Sequence, residues 1–311
     1  MDLRQLQSLL AVAEHGTFSA AARSLHTVQS NVSTHVARLE RELGATLVDR
    51  SASRLTPEGE VVVARARRVA SELEALSADV ASLTSEVTGT ARVGIIGTTA
   101  RWLTPLFLDA MSERHPRVRI VVTEATTLTQ LPQLFTDQID IGVVNLPQRD
   151  PDLDVMTLFG EDLVAIVPTK HPLASSHGPV SFTELAEHRL LLGPSGSNLR
   201  SEVDQHAQRA GVTLSSAAEI DGVRLAATLA FQGYAPTLVP MTAIPRWAPP
   251  AEWVMRPITE QPRRYVGLAF RRRGMLSAPA SAARDALRTV IAEHIDDEPG
   301  LHLPTDSEVP V

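Results

Sequence analysis

Residues 17–43, TFSAAARSLHTVQSNVSTHVARLEREL, contain two helical segments separated by a short break at His26 and Thr27. The second segment, about 28–43, repeats its apolar residues at spacings of 4, 3 and 4, so these residues form one buried stripe. They are Val32, Val36, Leu39 and Leu43. An amphipathic helix over 3–14 precedes them. Three short helices with a tight turn before the last predict a helix-turn-helix.

The stretch after Gly44 has the pattern of a small β-hairpin, or wing. Residues 45–56, ATLVDRSASRLT, place alternating apolar positions around a serine-rich tip that carries two arginines. Pro57 then occupies a first helical position, where its missing N–H group removes no hydrogen bond. A new helix is therefore expected to begin directly behind the wing.

This next predicted helix, about 57–87, has the clearest periodicity in the chain. Its apolar residues recur at alternating spacings of 4 and 3, which is a heptad seam that needs a partner helix to bury it. The seam comprises Val62, Ala66, Val69, Leu73, Leu76, Val80, Leu83 and Val87. We predict a coiled coil between two copies of the chain. The alternative is a long helix that lies on its own globular domain.

The pattern of apolar residues changes from about residue 90. Strand-like runs such as RVGII, RIVVTE and DIGVV alternate with amphipathic helical stretches. This alternation is typical of an α/β domain with largely parallel sheets. Residues 296–311 are acidic and proline-bearing with little apolar content, so we expect them to form a disordered tail.

Composition excludes several classes of protein. The 311 residues include no cysteine, which excludes a disulfide scaffold, an iron–sulfur cluster, a cysteine-based zinc site and a thiol switch. No stretch approaches the roughly 18 apolar residues that a membrane span needs. The N-terminus also lacks the basic region of a signal peptide. We therefore expect a cytoplasmic protein with no membrane partner. The net charge of −7 does not by itself suggest a nucleic-acid binder.

The N-terminal part resembles the LysR-type transcriptional regulators. The runs that carry the resemblance are LRQL at 3–6, AVAE at 11–14, TFSAAARSL at 17–25, QSNVS at 29–33, LERELG at 39–44, LVDR at 47–50 and LTPEG at 55–59. The rest of the chain, to about residue 295, resembles the family's effector domain, which has a two-lobed periplasmic-binding-protein fold of type 2. The run GPSGSNLR at 193–200 is part of that fit.

The resemblance implies a domain order and a set of partners. The order is a winged helix-turn-helix at 1–58, a linker and dimerisation helix at 59–89, and an effector-binding domain at 90–295 whose second lobe spans about 160–265. The implied partners are double-stranded DNA, a small-molecule effector and further copies of the chain, as a homodimer and then a homotetramer. The family commonly has Ser or Thr where this chain has Val28. Because valine cannot cap a helix, we expect Thr27 to cap the third helix one residue early.

The face of the third helix opposite its buried stripe is polar, as in recognition helices that present side chains to base edges in the major groove. Glutamine can pair with adenine, and arginine with guanine or phosphate. The predicted DNA contacts are Gln29, Ser30, Ser33, Thr34 and Arg38 from the helix and Arg50, Ser53 and Arg54 from the wing. The alternative for these residues is a solvated helix face and a surface turn.

By resemblance, three loops rich in hydroxyl groups face the cleft between the lobes, where helix N-termini attract anions. The predicted effector contacts are Thr98, Thr99, Arg101, Thr127, Thr129, Ser195, Ser197 and Asn198. Hydroxyl groups and a side-chain amide suit a small polar or carboxylate-bearing ligand. Two alternatives stay open. The Ser and Thr residues could be plain helix caps, or the chain could be an effector-independent repressor with a vestigial cleft.

Other classes of function fit the sequence less well. The chain has no GxSxG, HExxH, P-loop or GxGxxG motif, which disfavours an enzyme. We therefore predict no catalytic residues, no metal site and no cofactor. A periplasmic solute-binding protein would need a signal peptide and would have no helix-turn-helix. A DNA-architectural protein would lack the cleft domain.

Overall fold

The computed structural model describes residues 1–52, 54–84, 86–176, 178–245, 252–272 and 275–304, without the side chains of 82–84. Its N-terminal part consists of three short helices, a hairpin and a long helix. These are α1 (Leu3–His15), α2 (Phe18–Ser24), α3 (Gln29–Leu43), β1 (Val48–Asp49), β2 (Arg54–Leu55) and α4 (Pro57–Thr84). β1 and β2 pair antiparallel and form the wing.

One apolar core holds these elements together. Three of the four residues of the stripe expected on α3, Val32, Val36 and Leu39, are fully shielded from solvent. The prediction is wrong for Leu43, which is 44% exposed because it lies in the last turn of the helix. The three buried residues pack with Leu9 of α1 and Ala66 of α4. Complete burial of a valine or leucine side chain contributes about 1.5–3 kcal/mol. This burial fixes the rotation of α3, so its polar face is held towards solvent.

Two sheets that share one long strand make up the C-terminal part. The first sheet contains β3 (Gly89–Ile95), β4 (Val118–Glu124), β5 (Ile141–Asn145), the first part of β6 (Leu153–Pro168) and β11 (Arg263–Arg271). The second contains the rest of β6 with β7 (Arg189–Leu192), β8 (Ser215–Glu219), β9 (Thr237–Pro240) and β10 (Trp253–Pro257). The helices on these sheets are α5 (Gly97–Arg114), α6 (Thr127–Phe135), α7 (Phe182–Ala186), α8 (Asn198–Arg209), α9 (Val223–Phe231) and α10 (Ala278–His294).

Each sheet forms one lobe and mixes parallel with antiparallel pairs. β3 pairs parallel with β4 and β5, and β7 pairs parallel with β8 and β9. β6 runs antiparallel to β11 from Leu153 to Asp162 and antiparallel to β9 from Leu163 onward. The chain therefore crosses between the lobes at Asp162 and Leu163. The predicted fold class, a winged helix-turn-helix with a long helix and a two-lobed α/β domain, is confirmed.

The long helix α4 also contacts the first lobe. The Asp79 side chain accepts a hydrogen bond at 2.7 Å from the backbone N–H of Ala278, the first residue of α10. Nearer the N-terminus of α4, Glu74 forms an ion pair with Arg92 of β3 at 3.1 Å. The first N–H groups of a helix have no partner within the helix, so Asp79 pairs one of them from a distant part of the chain, in addition to the N-cap residue Ser277, which accepts from the N–H of Ala280.

The apolar seam predicted on α4 is open to solvent in its central part. The exposed fractions of Val69, Leu73, Leu76 and Val80 are 42%, 41%, 62% and 59%. By contrast, Val62 and Ala66 pack against the N-terminal core. The side chain of Leu83 lies outside the described part of the chain. A stripe of this kind is what a second helix would cover, and the dimer seam stays a prediction.

Residues 296–302 differ from the disordered tail expected for 296–311. Leu301 and His302 form β12, which pairs antiparallel with β6, and the Leu301 side chain is buried. His302 Nε2 lies 2.9 Å from Asp162 Oδ2. The prediction of disorder is wrong for this segment, because one buried leucine and an edge of β6 open to pairing outweigh its acidic composition. Residues 305–311 lie outside the described ranges.

Candidate functional site

The polar face of α3 and the wing bring the predicted DNA contacts onto one surface. The helix residues are Gln29, Ser30, Ser33, Thr34 and Arg38, all exposed except the half-buried Ser33. The wing residues Arg50 and Arg54 are exposed, and Ser53 lies outside the described residues. Both elements therefore offer hydroxyl, amide and guanidinium groups to a ligand on the same side of the N-terminal winged helix-turn-helix domain.

Contacts between neighbouring elements hold three of these side chains, Gln29, Ser33 and Arg50. The Arg50 guanidinium donates to Ser33 Oγ at 3.2 Å, and its carbon lies 5.3 Å from the centre of the Phe18 ring. Ser19 Oγ donates to Gln29 Oε1 at 2.7 Å. The wing and α3 are thus linked side chain to side chain, which orders the surface before any partner binds.

The start of α3 differs from the expected cap. Val28 is the N-cap residue and forms no side-chain cap. The Thr27 hydroxyl accepts a hydrogen bond from Asn31 Nδ2 at 3.0 Å, so it is engaged by a side chain and not by the helix backbone. The prediction that Thr27 caps α3 is wrong. The open N–H groups at Gln29 and Ser30 can instead be satisfied by an anion such as a DNA phosphate.

The second candidate site lies between the lobes. Helices α5, α6 and α8 follow the carboxyl ends of β3, β4 and β7, with the loop 193–197 between β7 and α8. In α/β sheets, ligands bind outside these ends of the strands. The N-cap residues of α5 and α8 are Ile96 and Ser197, and neither forms a side-chain cap. One helix start from each lobe therefore offers open N–H groups to an anionic group.

The structure places the predicted effector residues at different depths. Thr98, Thr99 and Thr127 are buried, Arg101, Ser197 and Asn198 are half-buried, and Thr129 and Ser195 are exposed. Thr127 Oγ1 accepts a hydrogen bond from the N–H of Asn145 at 3.0 Å. Thr126 Oγ1 accepts one from the N–H of Thr129 and caps α6. The contacts of Thr129 therefore fit the alternative in which this residue belongs to a helix cap and does not bind the effector.

A buried ion pair lies where the two lobes meet. Arg264 Nε donates to Glu161 Oε2 at 2.7 Å, and both side chains are almost fully shielded from solvent. Arg264 also donates to Thr98 Oγ1 at 2.6 Å and to Asn145 Oδ1 at 3.2 Å. From the second lobe, the N–H of Thr242 donates to Glu161 Oε1 at 2.7 Å. The pair therefore joins the lobes through groups on both sides.

One more carboxyl group is buried beside this pair. Glu202 belongs to α8, and its Oε2 atom has no hydrogen-bond partner among the described residues. Burial raises the pKa of Glu202 to about 7, while Arg264 lowers it to a smaller extent and Glu161 raises it further. Near pH 7 the carboxyl group is therefore about half protonated.

The rim of the cleft carries two arginines. Arg224 of α9 forms an ion pair with Glu124 of β4, and this pair joins the second lobe to the first. A Cβ atom added at Gly97 would lie 2.9 Å from Glu124 Oε1, so the carboxylate group lies close to the first residue of α5. Arg101 donates to the carbonyl oxygen of Ala243 at 3.1 Å. Burial lowers the pKa of Arg101, and the charge of Arg224 lowers it further.

Sequence reasoning missed the charged residues of the cleft. These are Glu124, Glu161, Glu202, Arg224 and Arg264. The available signal was that Glu161 and Arg264 lie shortly before the apolar runs LVAIVP and YVGLAF, as charges next to segments expected to be buried. That signal does not reveal the partner, since 103 positions separate the two residues in the sequence.

Two features that would suggest other functions are absent from the described ranges. No group of three or more His, Asp or Glu side chains there is placed to hold a metal ion. No helix in these ranges is both long enough and apolar enough to cross a membrane.

The exposed recognition helix with its wing, followed by a two-lobed domain with a polar cleft, defines a ligand-responsive DNA-binding regulator. Residues 3–60 match the model for bacterial regulatory helix-turn-helix proteins of the lysR family, and residues 84–292 match the LysR substrate binding domain. The chain belongs to the LysR family of transcriptional regulators.

Similar proteins cover the chain almost completely. A probable hydrogen peroxide-inducible genes activator from Streptomyces viridosporus is 31% identical over 95% of this chain and 97% of its own length. A cysteine-to-aspartate variant of full-length OxyR from Pseudomonas aeruginosa is 26% identical over 94% of each chain, with a TM-score of 0.73. CbnR in complex with its target DNA is 26% identical over 93% of this chain and 100% of its own, with a TM-score of 0.70.

Proposed function

We propose that this regulator reads duplex DNA with α3 and the wing, and that a small polar or carboxylate-bearing molecule in the cleft controls this binding. The observation that carries the proposal is the pair of uncapped helix starts, α5 and α8, one from each lobe. An anion between them satisfies N–H groups of both lobes and favours their approach. A ligand that prefers one arrangement of the lobes shifts the protein towards it.

In this proposal, Gln29 and Arg38 contact bases, whereas Ser30 and Arg54 contact phosphates. The exposure of these side chains and the uncapped start of α3 support the assignment. The structure of the related CbnR with its target DNA supports it further. The chain acts by binding and not by catalysis, and it acts in the cytoplasm, where its target DNA is found.

The proposed input is a bound molecule and not an oxidised thiol. The relative from Streptomyces viridosporus is named for induction by hydrogen peroxide. This chain has no cysteine, so a response to peroxide could not proceed through a thiol. Thr98, Ser197, Asn198 and Arg101 supply polar groups at the cleft, and the remaining predicted residues Thr99, Thr127, Thr129 and Ser195 flank them.

The proposed assembly is a homodimer through α4, and a homotetramer through further contacts of the effector domains. The exposed apolar stripe of α4 supports the first part. A helix with such a stripe gains stability when a second helix covers it. Family membership supports the second part. A dimer places two recognition helices on one duplex, so a change in its shape changes the spacing of the half-sites that it fits.

The test measures DNA binding with and without candidate ligands. Fluorescence anisotropy with the DNA upstream of the gene would be recorded for a panel of small organic acids and hydrogen peroxide. At least one molecule is expected to change the affinity of the wild type. Ser197→Leu should abolish this response and leave ligand-free binding intact, and Thr183→Leu, at an exposed position of α7, is the matched control. If no molecule alters binding, the effector-independent repressor is the better description.

A further inference from the structure

Two charged groups of the cleft have no partner of opposite charge among the described residues. Arg101 donates to the carbonyl oxygen of Ala243, and the acid that acts on it, Glu124, is bound to Arg224. Glu202 Oε2 is buried and accepts no hydrogen bond within the described structure. Burying an unpaired charge is costly, so each group favours a ligand of opposite charge.

The nearby Arg264 is not available to Glu202, although the two charges interact. Its guanidinium group is held by Glu161, Thr98 and Asn145. Glu161 balances the charge of Arg264 and also accepts the N–H of a second-lobe residue. The ionised Glu202 is therefore an excess negative charge beside a pair that is already neutral.

Two buried hydroxyl groups also lack partners within the described ranges. The exposed fractions of Thr99 and Thr242 are 0% and 9%, and the Oγ1 atom of each has no hydrogen-bond partner there. Thr99 stands in the first turn of α5, and Thr242 donates its N–H to Glu161. Buried polar groups are usually paired, so these two hydroxyl groups favour a hydrogen-bonding partner that the described residues do not supply.

We propose that the ligand of the cleft is a zwitterion, an amino acid or a related small molecule with both a carboxylate and a protonated amine. The carboxylate binds at the open N–H groups of α5 and α8 beside Arg101. The amine donates to Glu202. This assignment rests on the proposed function and narrows the ligand class, since a simple organic acid would leave Glu202 unpaired.

Binding of such a ligand is coupled to release of a proton. Burial places the pKa of Glu202 near 7, so the carboxyl group of the empty cleft is partly protonated at neutral pH. The charged groups that act on it are Arg264 and Glu161. An ammonium group close to a carboxyl group favours its ionised form. The ammonium ligand therefore displaces the proton to the buffer, whereas a ligand with a hydroxyl group in place of the amine does not.

The experiment compares matched pairs of ligands by isothermal titration calorimetry on the full chain. Each pair consists of an α-, β- or γ-amino acid and the hydroxy acid of the same carbon skeleton. Titrations near pH 7 in two buffers of different ionisation enthalpy report the protons released. We expect one amino member to bind at least tenfold more tightly than its hydroxy partner, with release of a fraction of a proton. Tenfold corresponds to about 1.4 kcal/mol.

Variants assign the effect to the buried carboxyl group. Glu202→Gln should weaken binding of the amino member about tenfold, abolish proton release and leave the hydroxy member unchanged. Glu187→Gln, at an exposed position of the same lobe, should change neither quantity.

The outcomes separate this inference from the proposed function. Equal affinity for both members of every pair, with a change in DNA binding, would overturn the zwitterion and leave the proposed function standing. Equal binding by wild type and Glu202→Gln would also overturn it. If no member of any pair binds, this inference fails whatever the result with other ligands.

Discussion

Replacing Glu202 with glutamine should make the protein more resistant to unfolding above neutral pH. The ordinary pKa of the side chain is 4.5, and burial raises it to about 7 in the folded protein. A raised pKa means that the folded state holds the proton more tightly than the unfolded state. Below about pH 4.5 both states carry the proton and the group has no effect on stability. As the pH rises through about 7, up to about 3 kcal/mol of stability is lost.

Glutamine cannot ionise, so the Glu202→Gln variant lacks this loss. Between about pH 5 and pH 8, the free energy of unfolding of the variant should rise relative to the wild type by about 2–3 kcal/mol. Urea unfolding at a fixed protein concentration, followed by circular dichroism at several pH values, measures the difference. Glu187→Gln controls for a lost surface charge. Parallel stability curves for wild type and Glu202→Gln would refute the reasoning, because they would show that Glu202 is ionised in both states.

Further predictions concern the DNA surface, the seam and the rim of the cleft. Gln29→Ala should reduce the free energy of DNA binding by about 1–3 kcal/mol. It should also weaken the preference for one base pair of the binding site, which single-base variants of the operator would measure. Arg54→Ala should weaken binding evenly and flatten its salt dependence, and a sequence-selective loss would contradict a phosphate contact. Leu76→Asp places a charge in the seam and should dissociate the dimer; an unchanged mass in light scattering would exclude the coiled coil. Arg224→Ala removes the ion pair with Glu124 that joins the lobes, so small-angle X-ray scattering should show a more open ligand-free cleft, and identical profiles would show that this pair does not hold the lobes together.

The fold of the winged helix-turn-helix domain could be predicted because its signals are local. The buried part of the stripe of α3 lies within eight consecutive residues, 32–39, and the turn glycines Gly16 and Gly44 adopt the left-handed conformation that ends a helix. The start of α3 was not predictable in the same way. The Thr27 hydroxyl had two competing acceptor roles, one to the backbone and one to Asn31, and the sequence contains no information on which is favoured.

The cleft could be predicted only in outline. Hydroxyl-bearing residues after strands are visible in the sequence, and Thr98 and Ser197 do lie at the starts of α5 and α8. The charged residues of the cleft were not predicted, because Glu161 and Arg264 meet only when β6 and β11 pair, and Glu202, which interacts with both, comes from another part of the sequence. The C-terminal strand was hidden for the same reason, since its edge partner lies about 140 positions earlier.

The hydrogen bond that Asp79 accepts from α10 has a consequence for engineered regulators. When DNA-binding domains are exchanged between relatives, α4 is treated as an inert linker in which the junction can be placed at any residue. In this chain, a junction placed after residue 79 replaces Asp79 along with the DNA-binding domain. Ser277 still caps α10 in such a chimera, and loss of the one hydrogen bond to Asp79 costs about 0.5–1.5 kcal/mol. A chimera that keeps residues 74–84 with the effector domain would retain both this hydrogen bond and the Glu74–Arg92 ion pair. The segment that should be transferred with the effector domain therefore begins within α4 and not at the C-terminal end of this helix.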